Sequence, residues 1–202
     1  MEKTVFGVIY LVCMVAAYLA RIPSLLLVSK TMKKEDRKSP RQKFENEGML
    51  LGLLMVAWYL AACVLPFFYV FGSSLDLANY HLLSSLGVIG SILFLLAIVL
   101  LFKAHSDLGR AWSSTVQIQQ EQPLVTDGIY KFIRHPIYAA HILWGIAGVL
   151  LLHNWIVGWS GLILFVLVYL LRVPHEEKLM LDKFGDAYQE YMQTTGRIIP
   201  KF

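Results

Sequence analysis

The chain has 202 residues, 57% of them hydrophobic and only 16% charged, with a mean hydropathy of +0.58. A soluble domain of this size carries about a quarter charged residues, and here the apolar residues cluster into long uncharged runs, so the composition excludes an ordinary soluble globule and points to a bilayer. The formal net charge of +4 does not indicate nucleic acid, because the basic residues gather in one loop beside a span, and Cys13 and Cys63 both lie in apolar runs as small buried hydrophobes rather than a disulfide or metal site.

The first predicted span runs from Val5 to Ser29. It continues past the length of a signal h-region and has no small-x-small cleavage site, so it reads as a retained helix. It contains Arg21 and Pro23. An ionisable residue inside a span is a functional candidate, and snorkelling toward the inner leaflet is the alternative for Arg21. The second span is Gly48 to Gly72, and the third is Leu77 to Phe102. A polar stretch follows from Lys103 to Pro136. The fourth span, Ile137 to Leu152, covers only about 24 Å, less than the roughly 30 Å hydrocarbon core. A tight His153-Asn154 turn leads to the fifth, Trp155 to Leu171, so these two form a helical hairpin. In the tail, Pro174 suits a first helical turn, which places Glu176 and Glu177 where carboxylates complement the helix dipole, with Gly185 as a break.

The expected fold is therefore an all-α integral membrane protein with about five transmembrane helices, the last two a tight hairpin, followed by a helical tail. One domain covers residues 1–202, with the N-terminal spans in 1–102 and a core of two spans and tail in 103–202. Lys and Arg set the orientation. Lys30, Lys33, Lys34, Arg37, Lys38, Arg41 and Lys43 follow span one; Lys103, Arg110, Lys131 and Arg134 lie in the polar stretch; Arg172, Lys178, Lys183, Arg197 and Lys201 lie in the tail. The alternation predicts an N-terminus outside, with the 103–136 segment and the tail both cytoplasmic, where they can meet.

The chemistry-bearing residues stand in those two segments. Arg134 and His135 precede Pro136 at the mouth of span four, where free helix N–H groups and an arginine fork can take an anion; an interfacial anchor is the competing reading. Glu176-Glu177 can accept from a ribose diol or an amino group, or simply sit solvated in a first turn. Arg172 ends span five, as a substrate-facing cation or a positive-inside anchor. His141 lies one turn into span four, three residues after Tyr138, as a functional group or a neutral histidine bonded within the bundle. His81, His105 and His175 lack metal-ligand spacing, so no metal is expected. Glycine-rich nucleotide loops and a Gly-x-Ser-x-Gly elbow are absent.

In order, Leu124-Val125-Thr126-x-Gly128-x-Tyr130, Arg134-His135-Pro136-x-Tyr138, Arg172-x-x-x-Glu176-Glu177, Phe184-Gly185-x-x-Tyr188-x-x-Tyr191 and Ile199-Pro200 resemble the isoprenylcysteine carboxyl methyltransferase and phospholipid methyltransferase group. The resemblance covers roughly the last hundred residues. It implies a membrane methyltransferase that uses S-adenosyl-L-methionine, with the tail closing a cytoplasmic cofactor pocket. By motif position, Leu124, Val125, Gly128, Tyr130, Arg134, His135, Tyr138, Glu176 and Glu177 would line that pocket. Arg172 would face the substrate, with Glu177 or His141 able to take a proton. The implied acceptor is lipophilic, enters from the bilayer among membrane lipids, and is read first as an isoprenylcysteine-like carboxylate. A phospholipid amine, a small lipophilic thiol or acid, an NADPH-dependent sterol-reductase-like activity and a non-catalytic module are the alternatives; the reductase reading rests on the Arg-His-Pro block and on Arg197-Ile198-Ile199-Pro200.

Overall fold

The computed structural model describes residues 2–31, 48–109 and 123–201, the side chains of residues 2 and 27–31 apart. The elements are α1 (Glu2–Thr31), α2 (Met49–Tyr59), a π-helical turn (Leu60–Val64), α3 (Leu65–Phe71), α4 (Ser84–Leu108), α5 (Pro136–Leu152), α6 (Val157–Phe184) and α7 (Asp186–Thr194), with 3-10 turns at Asp76–Ala78 and Gly128–Lys131. Lys3–Leu26, Met49–Phe71, Ser84–Leu108 and Val157–Phe184 are each long and apolar enough to cross a membrane, and the apolar α5 is shorter, with 17 residues. This is the all-α, multi-span membrane architecture that the hydropathy predicts. Lys33, Lys34, Arg37, Lys38, Arg41, Lys43 and Arg110, on which the predicted orientation partly rests, lie outside the described residues, as does the Lys30 side chain.

Helix α5 is the hub, packing against α1, α4 and α6. Small residues allow that. A Cβ on Gly145 would stand 2.9 Å from the Leu162 Cα, and one on Gly158 3.3 Å from the Gly148 carbonyl oxygen. The α5–α6 hairpin therefore packs backbone against backbone, as membrane helices do when apolar burial alone cannot bring them together. Facing outward, Leu53, Val88, Leu95, Val99, Ile163 and Leu170 are strongly exposed and fit a hydrocarbon surround.

A proline explains one interior hydrogen bond. Pro66 has no N–H, so it cannot donate to the Ala62 carbonyl one turn earlier. The Tyr10 hydroxyl of α1 donates to that carbonyl at 2.8 Å, and Trp144 Nε1 of α5 donates to the Tyr10 oxygen at 2.9 Å. One phenol thus ties α1, the π turn and α5 where no water competes. At the far end Asn154, wholly buried, satisfies its whole amide: Nδ2 donates to the Leu75 carbonyl and to Asn79 Oδ1, and Oδ1 accepts from the N–H groups of Ile156 and Val157.

Two expected boundaries are corrected. The third span begins at Ser84, not Leu77, because residues 78–80 are tied to the α5–α6 turn: Trp155 N–H donates to the Ala78 carbonyl and Tyr80 N–H to the His153 carbonyl, each at 2.9 Å. No new helix starts at Pro174. Helix α6 runs through it to Phe184, since an internal proline removes one backbone bond while the next turn is anchored by its glutamates. Gly185 (φ +51) ends α6 and α7 follows, as its sequence position predicts.

Tyr10→Phe should strip two buried partners at once. We expect it to cost about 1–2 kcal/mol, read as a lower melting temperature in detergent. An unchanged melting temperature would refute this role.

Candidate functional site at the mouth of α5

Proline at its first turn starts α5, with His135 as the N-cap. The approach to that mouth is fixed from α4. Gly128 has φ +62, which favours glycine, and a Cβ there would collide with the Asp107 carboxylate. Asp107 Oδ2 accepts from the Ile129 N–H at 2.8 Å, and Lys103 donates to Oδ1 at 2.6 Å. The last turn of α4 therefore holds the 128–131 turn in place.

The C-terminal tail lies alongside. Arg134 N–H donates to the Gly196 carbonyl and His135 N–H to the Arg197 carbonyl, both at 2.8 Å, and Ile133 and Gly196 form an isolated parallel bridge. The Tyr191 hydroxyl donates to the Tyr130 carbonyl at 2.6 Å. Of the N–H groups at this mouth, those of residues 134 and 135 are taken by the tail's carbonyls, because a buried donor must find a partner.

The two glutamates diverge. Adjacent on α6, they point about 100° apart around its axis. The Glu177 side chain is only 4% exposed. Its Oε1 accepts from Arg134 Nη2 at 3.2 Å, His135 Nε2 at 3.3 Å and Arg197 Nε at 3.1 Å, and its Oε2 from Arg197 Nη2 at 2.6 Å. A carboxylate only accepts, so His135 carries its proton on Nε2. Arg134 Nη1 also donates to the Met192 and Thr195 carbonyls. The Glu177 carboxylate holds the Arg197 guanidinium above its already high ordinary value, and burial pushes the Tyr188 phenol up to about 12, so the first stays charged and the second neutral. Losing one partner of the buried Arg134–Glu177 pair costs about 3–5 kcal/mol.

Glu176 is the open member, with its side chain 24% exposed. Its Oε1 accepts from the Tyr138 hydroxyl at 2.7 Å and from Arg172 Nε at 3.0 Å. Its Oε2 lies 3.8 Å from His135 Nδ1, beyond hydrogen-bond reach. Arg172 Nη1 also meets Met55 Sδ of α2 at 3.2 Å. Tyr138 packs edge-on to His135 and Tyr169.

The structure thus gathers Gly128, Tyr130, Arg134, His135, Tyr138, Arg172, Glu176 and Glu177 around one helix mouth. Leu124 and Val125 are half-buried in the extended approach. His141 is buried deeper in the bundle, its ring stacked near Phe165 (4.9 Å) and Trp144 (5.8 Å), with Nδ1 donating to the Ile137 carbonyl at 2.7 Å. That proton fixes the tautomer and leaves Nε2 as the only possible base. Sequence reasoning missed Arg197 as a partner of Glu177, and Asp107 as the brace of Gly128. Arg197 was legible only as part of the Arg-Ile-Ile-Pro ending, and nothing local links Asp107 to a glycine 21 positions away.

Parts of the chain are similar to known proteins. The isoprenylcysteine carboxyl methyltransferase (ICMT) family profile matches residues 89–182. The chain is 28% identical over 113 residues to protein-S-isoprenylcysteine O-methyltransferase B of Arabidopsis thaliana, covering 55% of this chain and 57% of that one. It is 28% identical over 160 residues to methanethiol S-methyltransferase of a Pseudomonas species, covering 76% of this chain and 56% of that one. It thus spans less than two thirds of these relatives' length. The solved eukaryotic intramembrane Ras methyltransferase ICMT superposes with a TM-score of 0.63 at 21% identity, over 95% of this chain and 64% of that one, and so shares the fold. The segment that resembles the isoprenylcysteine carboxyl methyltransferase family runs from the middle of α4 to near the end of α6, through both the α5 mouth and the glutamate pair.

Proposed function

We propose that this protein is an S-adenosylmethionine-dependent methyltransferase that esterifies the carboxylate of an isoprenylcysteine-like lipid at the cytoplasmic face of a membrane. One observation carries the reading: a helix mouth with one carboxylate closed by cations and a second left accessible, inside the segment that matches the family.

The residues fit the cofactor. It presents a ribose diol and an ammonium, both donors, and the partly exposed Glu176 offers carboxylate oxygens that only accept. Tyr138 orients that carboxylate. His135 Nδ1 is left as an acceptor once Nε2 donates to Glu177. Leu124, Val125, Gly128 and Tyr130 form the adjoining wall, and Arg134 with Glu177 holds mouth and tail together. When bound, S-adenosylmethionine supplies a methyl group on a positively charged sulfur.

The chain's own work is then positioning. A carboxylate nucleophile needs no base; it needs alignment and a dry site. Arg172, already sharing its charge with Glu176, orients rather than neutralises. His141 Nε2 is a proton acceptor only for an amine or a thiol, which must lose a proton to react. The thiol reading has one observation in its favour, the coverage of the methanethiol S-methyltransferase match. The reductase reading has none, since the matched family and the relatives named above are methyltransferases. The Lys and Arg pattern supports an N-terminus outside and the glutamates on the cytoplasmic side.

Glu176→Gln should keep the melting temperature and weaken S-adenosylhomocysteine binding about 10- to 100-fold in calorimetry. Glu177→Ala should instead lower the melting temperature, by leaving Arg134 and Arg197 without their carboxylate. Equal effects of both on stability would sink this division of labour.

Membranes containing the protein, given methyl-labelled S-adenosylmethionine and N-acetyl-S-farnesylcysteine, should yield a base-labile labelled ester. Label entering only thiol acceptors would replace the carboxylate reading. Label entering neither would reject the methyltransferase reading.

A further inference from the structure

Helix α1 carries a cation that the site's charge pairing leaves over. Arg21 lies outside the segment that matches the family. Its Nε is fully buried and has no hydrogen-bond partner among the described residues. Among the described residues, Arg21 forms no ion pair. Its electrostatic neighbours are Tyr18, Cys63, His105 and His141 — hydroxyl, thiol and imidazole groups, with no carboxylate. Tyr18 and Cys63 meet each other instead, hydroxyl to sulfur at 3.0 Å. A guanidinium cannot shed its charge, and a charge held inside a span without a counter-ion is costly. Among the described residues nothing compensates this charge, so an arriving anion could.

The surroundings give that anion a place. One turn beyond Arg21, Pro23 and Ser24 line a cavity of about 190 Å³ with Phe102, His105, Ser106 and Gly109 of α4. Arg21 and Ser24, three residues apart, share one face of α1, so the guanidinium lies on the side of α1 that borders the cavity. His141 has both Arg21 and Arg172 as electrostatic neighbours. Arg172 is already matched by Glu176 at 3.0 Å, so its charge is shared before any acceptor binds.

We propose that Arg21 binds the carboxylate of the lipid methyl acceptor, supplying the counter-charge that Arg172 does not have to spare. This rests on the carboxylate-acceptor reading given above. A lipid phosphate offers the same oxyanion chemistry, but the buried Nε favours a ligand inside the bundle over a headgroup outside it.

The test uses the whole protein in nanodiscs, with N-acetyl-S-farnesylcysteine and its carboxamide as probes. Wild-type protein should bind the acid more tightly than the amide. Arg21→Gln should weaken acid binding roughly 10- to 100-fold, leave the amide and S-adenosylhomocysteine unchanged, and melt no lower than wild type. Arg21→Lys should recover part of the loss. In turnover, the defect should lie in KM for the acid. The inference falls if Arg21→Gln still discriminates acid from amide as wild type does. It also falls if acid, amide and cofactor analogue weaken together with a lower melting temperature, which marks a structural role. A defect that follows the mole fraction of phosphatidylglycerol in the disc assigns Arg21 to a headgroup and overturns it as well. Wild-type protein that binds acid and amide equally overturns the acceptor reading and this inference with it.

Discussion

The site is organised around one buried carboxylate. Glu177 accepts from Arg134 and His135 at the mouth of α5 and from Arg197 in the tail, and so joins three segments far apart in sequence. Taking the Glu177 carboxylate and the Arg134 guanidinium out of water carries a desolvation penalty of several kcal/mol per ion. The surrounding bonds offset it. Arg134 spends its remaining donors on tail carbonyls, and the tail's carbonyls take the N–H groups of residues 134 and 135. Once Glu177 is consumed in this way, Glu176 is released from structural duty and can face a ligand.

The membrane part of the fold serves to present that mouth. Helix α5 is too short to be a comfortable span, yet it sits at the centre of the bundle, fixed by glycine contacts to α6 and by the Tyr10–Trp144 bond to α1. In the absence of competing water, each such polar contact also removes a penalty that the bilayer would impose on an unpaired group. The short α5 has its first turn against the tail and its last residues in the Asn154 cluster. Both ends are thus set by hydrogen bonds rather than by hydropathy alone.

Much of this was legible in the sequence. The uncharged runs reveal the spans, Pro136 marks the start of α5, Gly185 marks the end of α6, and the spaced Arg-His-Pro and Glu-Glu blocks lie where the structure gathers them. What was not legible was pairing at long range. Pro174 looks like a helix start because proline suits a first turn, but the helix continues through it since the glutamates beyond are anchored from outside. Arg134 looks like an anion clamp because a free arginine at a helix mouth is one, but its fork is spent on Glu177 and the tail. The unequal fates of Glu176 and Glu177 cannot be read from two identical neighbours; they depend on which side of α6 meets Arg197.

The cations divide in a parallel way. Arg134 and Arg197 are closed on Glu177, Arg172 is shared with Glu176, and the Nε of Arg21 has no partner among the described residues. The central claim is that the α5 mouth and the C-terminal tail form the two walls of one ligand pocket. Backbone hydrogen exchange with and without S-adenosylhomocysteine tests it most directly. Residues 128–139 and 191–199 should gain protection together on binding; protection confined to one of these segments, or to neither, would contradict the account.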